Sequence, residues 1–222
     1  ILDELIKTGL VIIPDFIPKE DVLKLQELSE VHLNKLVRDE YEGNKVHYLP
    51  HYGLYRIRDF NNVVSETNIF YKNSRIHDIA KAYISKDVEM YEKMAEIRPD
   101  VNVEGSSDYY HFDDWRRRLK VFLLLSDVGQ EQAPMVYIKG SAAQGKWRER
   151  KDLVYNKYGK DAEYGHFFLH EINRLKEKHA QFEEVTCTGK AGTVIFADTR
   201  GIHKGTPLKS GKRILLAGYF DC

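Results

Sequence analysis

Cysteine is scarce in this chain: Cys187 and Cys222 are the two among 222 residues. Two thiols make neither a disulfide framework nor a thiolate cluster for zinc, and the expected setting is reducing and cytoplasmic. Charge of one sign is equally lacking. Lys and Arg number 34, Asp and Glu number 34, and the formal net charge is zero. A general nucleic-acid binder carries a basic surplus, so nucleic acid is not an expected partner. Long hydrophobic runs are missing too. The longest spans residues 121–125, far short of the ~20 apolar residues that cross a bilayer, and no membrane partner is expected. Residues 1–13 do not read as a signal peptide, because Asp3, Glu4 and Lys7 interrupt the apolar stretch. What is present suffices for a core: 42% of residues are hydrophobic and 12% aromatic. The length suits a single domain over residues 1–222.

Leu2, Leu5 and Ile6 follow helical spacing, with Gly9 placed to end the helix, and residues 10–13 read as a strand. Pro18, Glu20 and Asp21 open a second helix, whose apolar face carries Val22, Leu25, Leu28, Leu33 and Leu36. His32 shares that face and reads as an ordinary hydrogen-bonded helix residue. Residues 46–60 look extended, with Leu54, Arg56 and Arg58 on one side. Residues 76–84 suggest a helix and 88–97 a strand. Further on, residues 119–126, 135–138, 184–188, 193–197 and 213–220 are strand-like runs punctuated by glycine. Residues 144–180 are charged and helical in character, and read as a surface insertion. Short strands without a βαβ rhythm predict a mainly β sandwich or barrel with flanking α-helices.

The most informative segment is Tyr109 to Trp115. On a strand, His111 and Asp113 point the same way and can hold two adjacent positions on a divalent metal. His203, after the apolar run 193–197 and between Gly201 and Gly205, is the candidate third ligand. Two His and one carboxylate on one face of an octahedron leave three positions open, the arrangement of non-haem Fe(II) oxygenases. Arg213 follows ten residues later. Strand alternation puts it with Leu215, Ala217 and Tyr219. Facing inward, its guanidinium needs an anion, and a carboxylate fits the fork.

Together, His111 and Asp113, the runs 119–128 and 133–141, Asp198 to Gly205 and Arg213 resemble the phytanoyl-CoA dioxygenase-like (PhyH) family of Fe(II)/2-oxoglutarate-dependent oxygenases. The resemblance covers residues 85–221 well and the N-terminal third more loosely. It implies a double-stranded β-helix (jelly-roll, cupin-like) core, with His111, Asp113 and His203 on iron. It also implies Arg213 on the distal carboxylate of 2-oxoglutarate, with O2 as oxidant. The implied reaction hydroxylates an unactivated carbon of a small molecule as 2-oxoglutarate is decarboxylated to succinate. Halogenating relatives lack the carboxylate of Asp113, so its presence argues for hydroxylation. Gly140 and Ser141 are commonly followed by His in the family, and Ala142 stands here. Two other readings remain: an inactive jelly-roll binding or regulatory protein, and a cupin-type metalloenzyme that does not use 2-oxoglutarate.

Residues beyond the triad carry weaker signals. Arg56 and Trp115 are candidate substrate contacts, and the basic run 115–120 would suit an anionic small molecule. The ordinary reading of that run, preferred here, is a solvated loop paired with nearby acids. His166 and His170 have helical spacing but no evident third ligand, and read as ordinary histidines. Trp147, Tyr155 and Tyr158 would form a lid or cover a sheet face.

Overall fold

The computed structural model describes residues 1–43, 45–49, 53–99, 102–103, 109–114, 116–143 and 166–221. Helix α1 (Leu2–Thr8) ends at Gly9, whose φ of 78° lets its N–H reach back to the Leu5 carbonyl at 2.8 Å. A Cβ at Gly9 would collide with Tyr137 Oη and lie 2.8 Å from Ala142 Cβ, so glycine also permits close packing there. Strand β1 (Leu10–Ile13) follows, then α2 (Lys19–Val37), with Pro18 at its cap and Glu20 and Asp21 in its first turn. Strands β2 (Val46–Leu49) and β3 (Leu54–Arg58) form a hairpin. Two 3-10 turns lead into α3 (Asn68–Tyr71) and α4 (Ser74–Tyr83), and then β4 (Met90–Arg98).

The remaining elements are β5 (Tyr110–His111), β6 (Arg118–Leu124), β7 (Met135–Lys139), β8 (His166–Phe167) and α5 (Leu169–Lys178). They are followed by β9 (Glu183–Cys187), β10 (Val194–Asp198), β11 (His203–Lys204) and β12 (Arg213–Asp221). Among the described residues the strands form two antiparallel sheets. One runs β1-β10-β6-β12-β4-β3-β2 and the other β8-β5-β11-β7-β9. The mainly β expectation holds. Of the segment expected to be a helical insertion, residues 169–178 are helix and residues 166–167 are an edge strand on β5.

Period-two alternation divides the large sheet. Leu119, Val121 and Leu123 of β6 and Ile214, Leu216 and Phe220 of β12 enter a core shared with α1, α2 and α4. Their neighbours Leu124, Leu215 and Ala217 join Tyr137, Cys187 and Ile195 between the two sheets. A third cluster, including Phe112, Ile138 and Phe167, seals Ile172 of α5 against the smaller sheet. No helix among the described residues is long and apolar enough to cross a membrane.

Phe196 is fully buried in the helix-facing core, edge-on to Phe16 at 6.2 Å. Phe196→Ala is expected to cost about 3–5 kcal/mol through lost burial and a residual cavity. Val31→Ala, on the exposed side of α2, should stay within about 0.5 kcal/mol. Urea unfolding of the two variants measures both.

Candidate metal centre and active site

His111 ends β5, and the N–H of Asp113 donates to the Thr199 carbonyl at 2.9 Å. The expectation of one continuous strand through His111 and Asp113 is therefore corrected: pairing stops at His111, and a loop carries the carboxylate. Opposite His111 in the ladder lies His203, on β11 rather than in a loop. The three side chains converge, with their candidate ligand atoms all within 4.8 Å of one another.

The backbone sets the ring orientations. His111 Nδ1 sits 2.8 Å from the Tyr109 carbonyl and His203 Nδ1 sits 2.9 Å from the Gly201 carbonyl. A carbonyl only accepts, so each Nδ1 carries the proton and each Nε2 keeps a lone pair. Both Nε2 atoms face Asp113 Oδ1, at 3.6 and 3.7 Å. These separations are too long for hydrogen bonds. Burial lowers both imidazoles, His203 to about 4 despite the opposing pull of Asp113. Burial would raise the Asp113 carboxyl, but the Lys120 ammonium and His203 override it and hold the carboxyl well below the usual range. Two neutral imidazole nitrogens and one ionised carboxylate oxygen, aimed at common space rather than at one another, fit a divalent cation of the N/O-binding kind.

Asp198 anchors the loop that delivers His203. Its carboxylate accepts from Tyr83 Oη at 2.6 Å and from the Arg200 N–H at 3.0 Å. Its carbonyl accepts from Tyr137 Oη at 2.7 Å. Burial raises the Asp198 carboxyl and Arg200 pulls it back. The next residue, Thr199, receives the Asp113 N–H, so one loop places both the carboxylate and the second histidine. Ser141 Oγ accepts from the Ile202 N–H at 2.7 Å. The neighbouring Ala142 is buried against Gly9, which accounts for a small residue where the family commonly has histidine.

A cavity of about 120 Å³ between the sheets connects this cluster to a second charged group. Arg56 Nε donates to Glu96 Oε2 at 2.7 Å, and Arg213 Nη2 donates to Glu96 Oε1. Arg213 Nη1 donates to the Ala133 carbonyl, and its buried Nε has no hydrogen-bond partner among the described residues. Burial would raise Glu96, but Arg56, Arg213 and Arg98 hold it down to about 2. Arg213 thus faces inward, and Arg56 lines the cavity beside it. Phe122, Leu124, Met135 and Leu215 supply apolar wall.

Sequence reasoning missed Glu96 and Lys120. The acid alternates along β4 with buried Ala95 and Ile97, and it lies opposite Arg56 on β3, a pairing visible only once the strands are registered. Lys120 lies on β6, within the strand expected over residues 119–126, and not in the solvated loop also read over 115–120. The expected pairing with acids does occur: Lys120 meets Asp113, Arg116 meets Asp114, and Arg118 meets Asp221. His166 sits on β8, 6.0 Å from the His111 ring, and His170, in the first turn of α5, stacks on Phe168. Trp115, Trp147, Tyr155, Tyr158 and Cys222 lie outside the described residues. Cys187 lines the cavity as a buried thiol, pushed up to about 12 by burial.

Three solved structures set this geometry among known folds. The chain is 17% identical to EctD from S. alaskensis with bound Fe, at a TM-score of 0.72 over 100% of this chain and 75% of that one. It is 14% identical to the epimerase SnoN in complex with Fe3+, alpha ketoglutarate and nogalamycin RO, at 0.70 over 99% and 81%. It is 12% identical to AviO1 from Streptomyces viridochromogenes Tue57, at 0.68 over 100% and 93%. No curated protein matches the chain in sequence. At these identities the likeness shows the fold, a cupin-like jelly roll, and the His–Asp–His cluster inside it defines a metal-dependent oxygenase class. The chain belongs to the phytanoyl-CoA dioxygenase (PhyH) family, whose match spans residues 6–214. It is an iron/2-oxoglutarate-dependent oxygenase-type enzyme.

The buried Glu96 makes stability depend on acid in a defined window. Its folded-state value near 2 lies below the ordinary 4.5. Its contribution is therefore complete above pH 4.5 and is lost as pH falls through 2, amounting to about 3 kcal/mol. The gap in urea stability between wild type and Glu96→Gln should be constant above that window and narrow inside it. A gap independent of pH would contradict the paired, ionised state.

Proposed function

We propose that this chain hydroxylates an unactivated carbon of a small, anionic molecule, converting 2-oxoglutarate and O2 to succinate and CO2. In this reading residues 1–222 form one oxygenase domain. The observation that carries it is one cavity lined both by His111 and His203 of a two-His, one-carboxylate donor set and by the guanidinium-bearing Arg56 and Arg213. His111, Asp113 and His203 would hold Fe(II), and Arg213, joined by Arg56, would take the distal carboxylate of 2-oxoglutarate. Bound iron and 2-oxoglutarate supply the oxidising chemistry.

The chain's own residues do the rest. Tyr109 and Gly201 carbonyls keep each Nε2 unprotonated, which suits a ligand nitrogen. Glu96 holds Arg56 and Arg213 side by side, so the receptor for a carboxylate is assembled in advance. Phe122, Leu124 and Leu215 limit water along the path between the two ends. Asp113 would supply the carboxylate that halogenating relatives lack, which favours hydroxylation. Lys120, Lys204 and Arg213 make the cavity lining more basic than acidic, favouring an anionic substrate.

Succinate formation coupled to substrate oxidation tests the proposal. Asp113→Ala should abolish succinate release. Arg213→Ala should raise KM for 2-oxoglutarate roughly ten- to hundredfold through loss of a charge-assisted pair, and Arg56→Ala should shift it the same way by less. The product should be heavier than the substrate by one oxygen atom. A product of unchanged mass would replace hydroxylation with isomerisation, and turnover indifferent to Asp113 would remove that residue from the ligand set.

A further inference from the structure

Lys120 reaches the metal centre from the opposite sheet. On β6 it lies across from Tyr219 of β12 and Ala197 of β10. Its ammonium sits 4.6 Å from the centre of the Tyr219 ring, a cation–π contact that fixes the end of a long side chain. From there Nζ approaches Asp113 Oδ2 to 2.6 Å. The other oxygen, Oδ1, faces His111 and His203. The carboxylate is thus divided, one oxygen toward the imidazoles and one toward the ammonium.

That division bears on coordination number. A carboxylate binds a cation through one oxygen or through two. A facial triad leaves three positions only when its carboxylate uses one oxygen, and 2-oxoglutarate together with O2 requires all three. We propose that Lys120 is a positioning residue: by capturing Asp113 Oδ2 it confines Asp113 to one-oxygen coordination and keeps open a position that a chelating carboxylate would close. The inference rests on the iron/2-oxoglutarate reading above. It also carries an electrostatic consequence. A fixed ammonium beside the ligand carboxylate repels the incoming cation, so the protein gives up metal affinity to preserve a vacant site.

A plain structural ion pair predicts the opposite sign. Removing Lys120 would then loosen Asp113 and weaken metal binding. Mn(II) titration of metal-free protein, followed by 2-oxoglutarate titration of the Mn(II)-loaded form, separates the two. In K120M, which keeps an unbranched apolar side chain, Mn(II) should bind on the order of tenfold more tightly, while 2-oxoglutarate binds more weakly. In K120Q, which puts a neutral amide donor in place of the ammonium that pairs with Oδ2, Mn(II) should also bind more tightly, but 2-oxoglutarate affinity should stay near wild type. Mn(II) affinity unchanged or reduced in both variants overturns the inference, and so does 2-oxoglutarate binding equally impaired in both. Should K120M fail to fold, K120Q decides by the same two readings. Wild-type protein that takes up no Mn(II) would refute the metal-site reading itself, and this inference with it.

Discussion

Two acids, half-buried Asp113 and buried Glu96, hold a group of cations in the space between the sheets. Lys120 pairs with the first, and Arg56 and Arg213 with the second. None of these charges would persist alone in such a place, because desolvation of an unpaired ion costs several kcal/mol. The pairs are therefore mutually dependent. The acids stay ionised because the cations are near, and the cations stay inside because the acids are ionised. The cavity beside them inherits a fixed polarity: its wall includes His111 and His203 of the His–Asp–His cluster and the guanidinium groups of Arg56 and Arg213.

Hydrogen bonds turn this charge arrangement into a site of defined shape. The segment from Asp198 to His203 is tied to α4 through Tyr83, to β7 through Tyr137, and to the Asp113 loop through Thr199. Gly201 is needed within it, since a Cβ there would run into Tyr137 Oη and come within 2.6 Å of Tyr137 Cζ. The two histidines are opposite each other in one ladder, and their Nδ1 protons are committed to carbonyls. The lone pairs are thus placed by the fold before any ligand arrives. This is preorganisation in the ordinary sense: the cost of assembling the site falls on folding rather than on binding.

Much of this could be read in the sequence, and the exceptions have physical causes. The alternation of Arg213, Leu215, Ala217 and Tyr219 with the more apolar face of Ile214, Leu216 and Phe220 showed which residues share Arg213's face but not which way that face turns, because β12 is long and buried on both faces. Asp113 lies beyond the end of its strand, yet the spacing from His111 still brings it to the cluster through its bond to Thr199. Glu96 was invisible because an acid in an amphipathic strand reads as solvent-facing until its neighbours are known. Its meaning comes from Arg56 and Arg213 on the two flanking strands. Lys120 was hidden in a basic run that resembles a solvated loop, although Leu119 and Val121 on either side are fully buried. Strands β5, β8 and β11 are two residues long, too short for any periodic signal.

The central claim is that His111, Asp113 and His203 act together on one metal ion, beside a receptor for 2-oxoglutarate. Anaerobic titration with Fe(II), monitored for the visible absorption that appears when 2-oxoglutarate chelates protein-bound iron, tests it most directly. The account predicts one Fe(II) per chain, an absorption that requires both iron and 2-oxoglutarate, and loss of both the binding and the band in His203→Ala. Iron uptake and an undiminished band in that variant would contradict it.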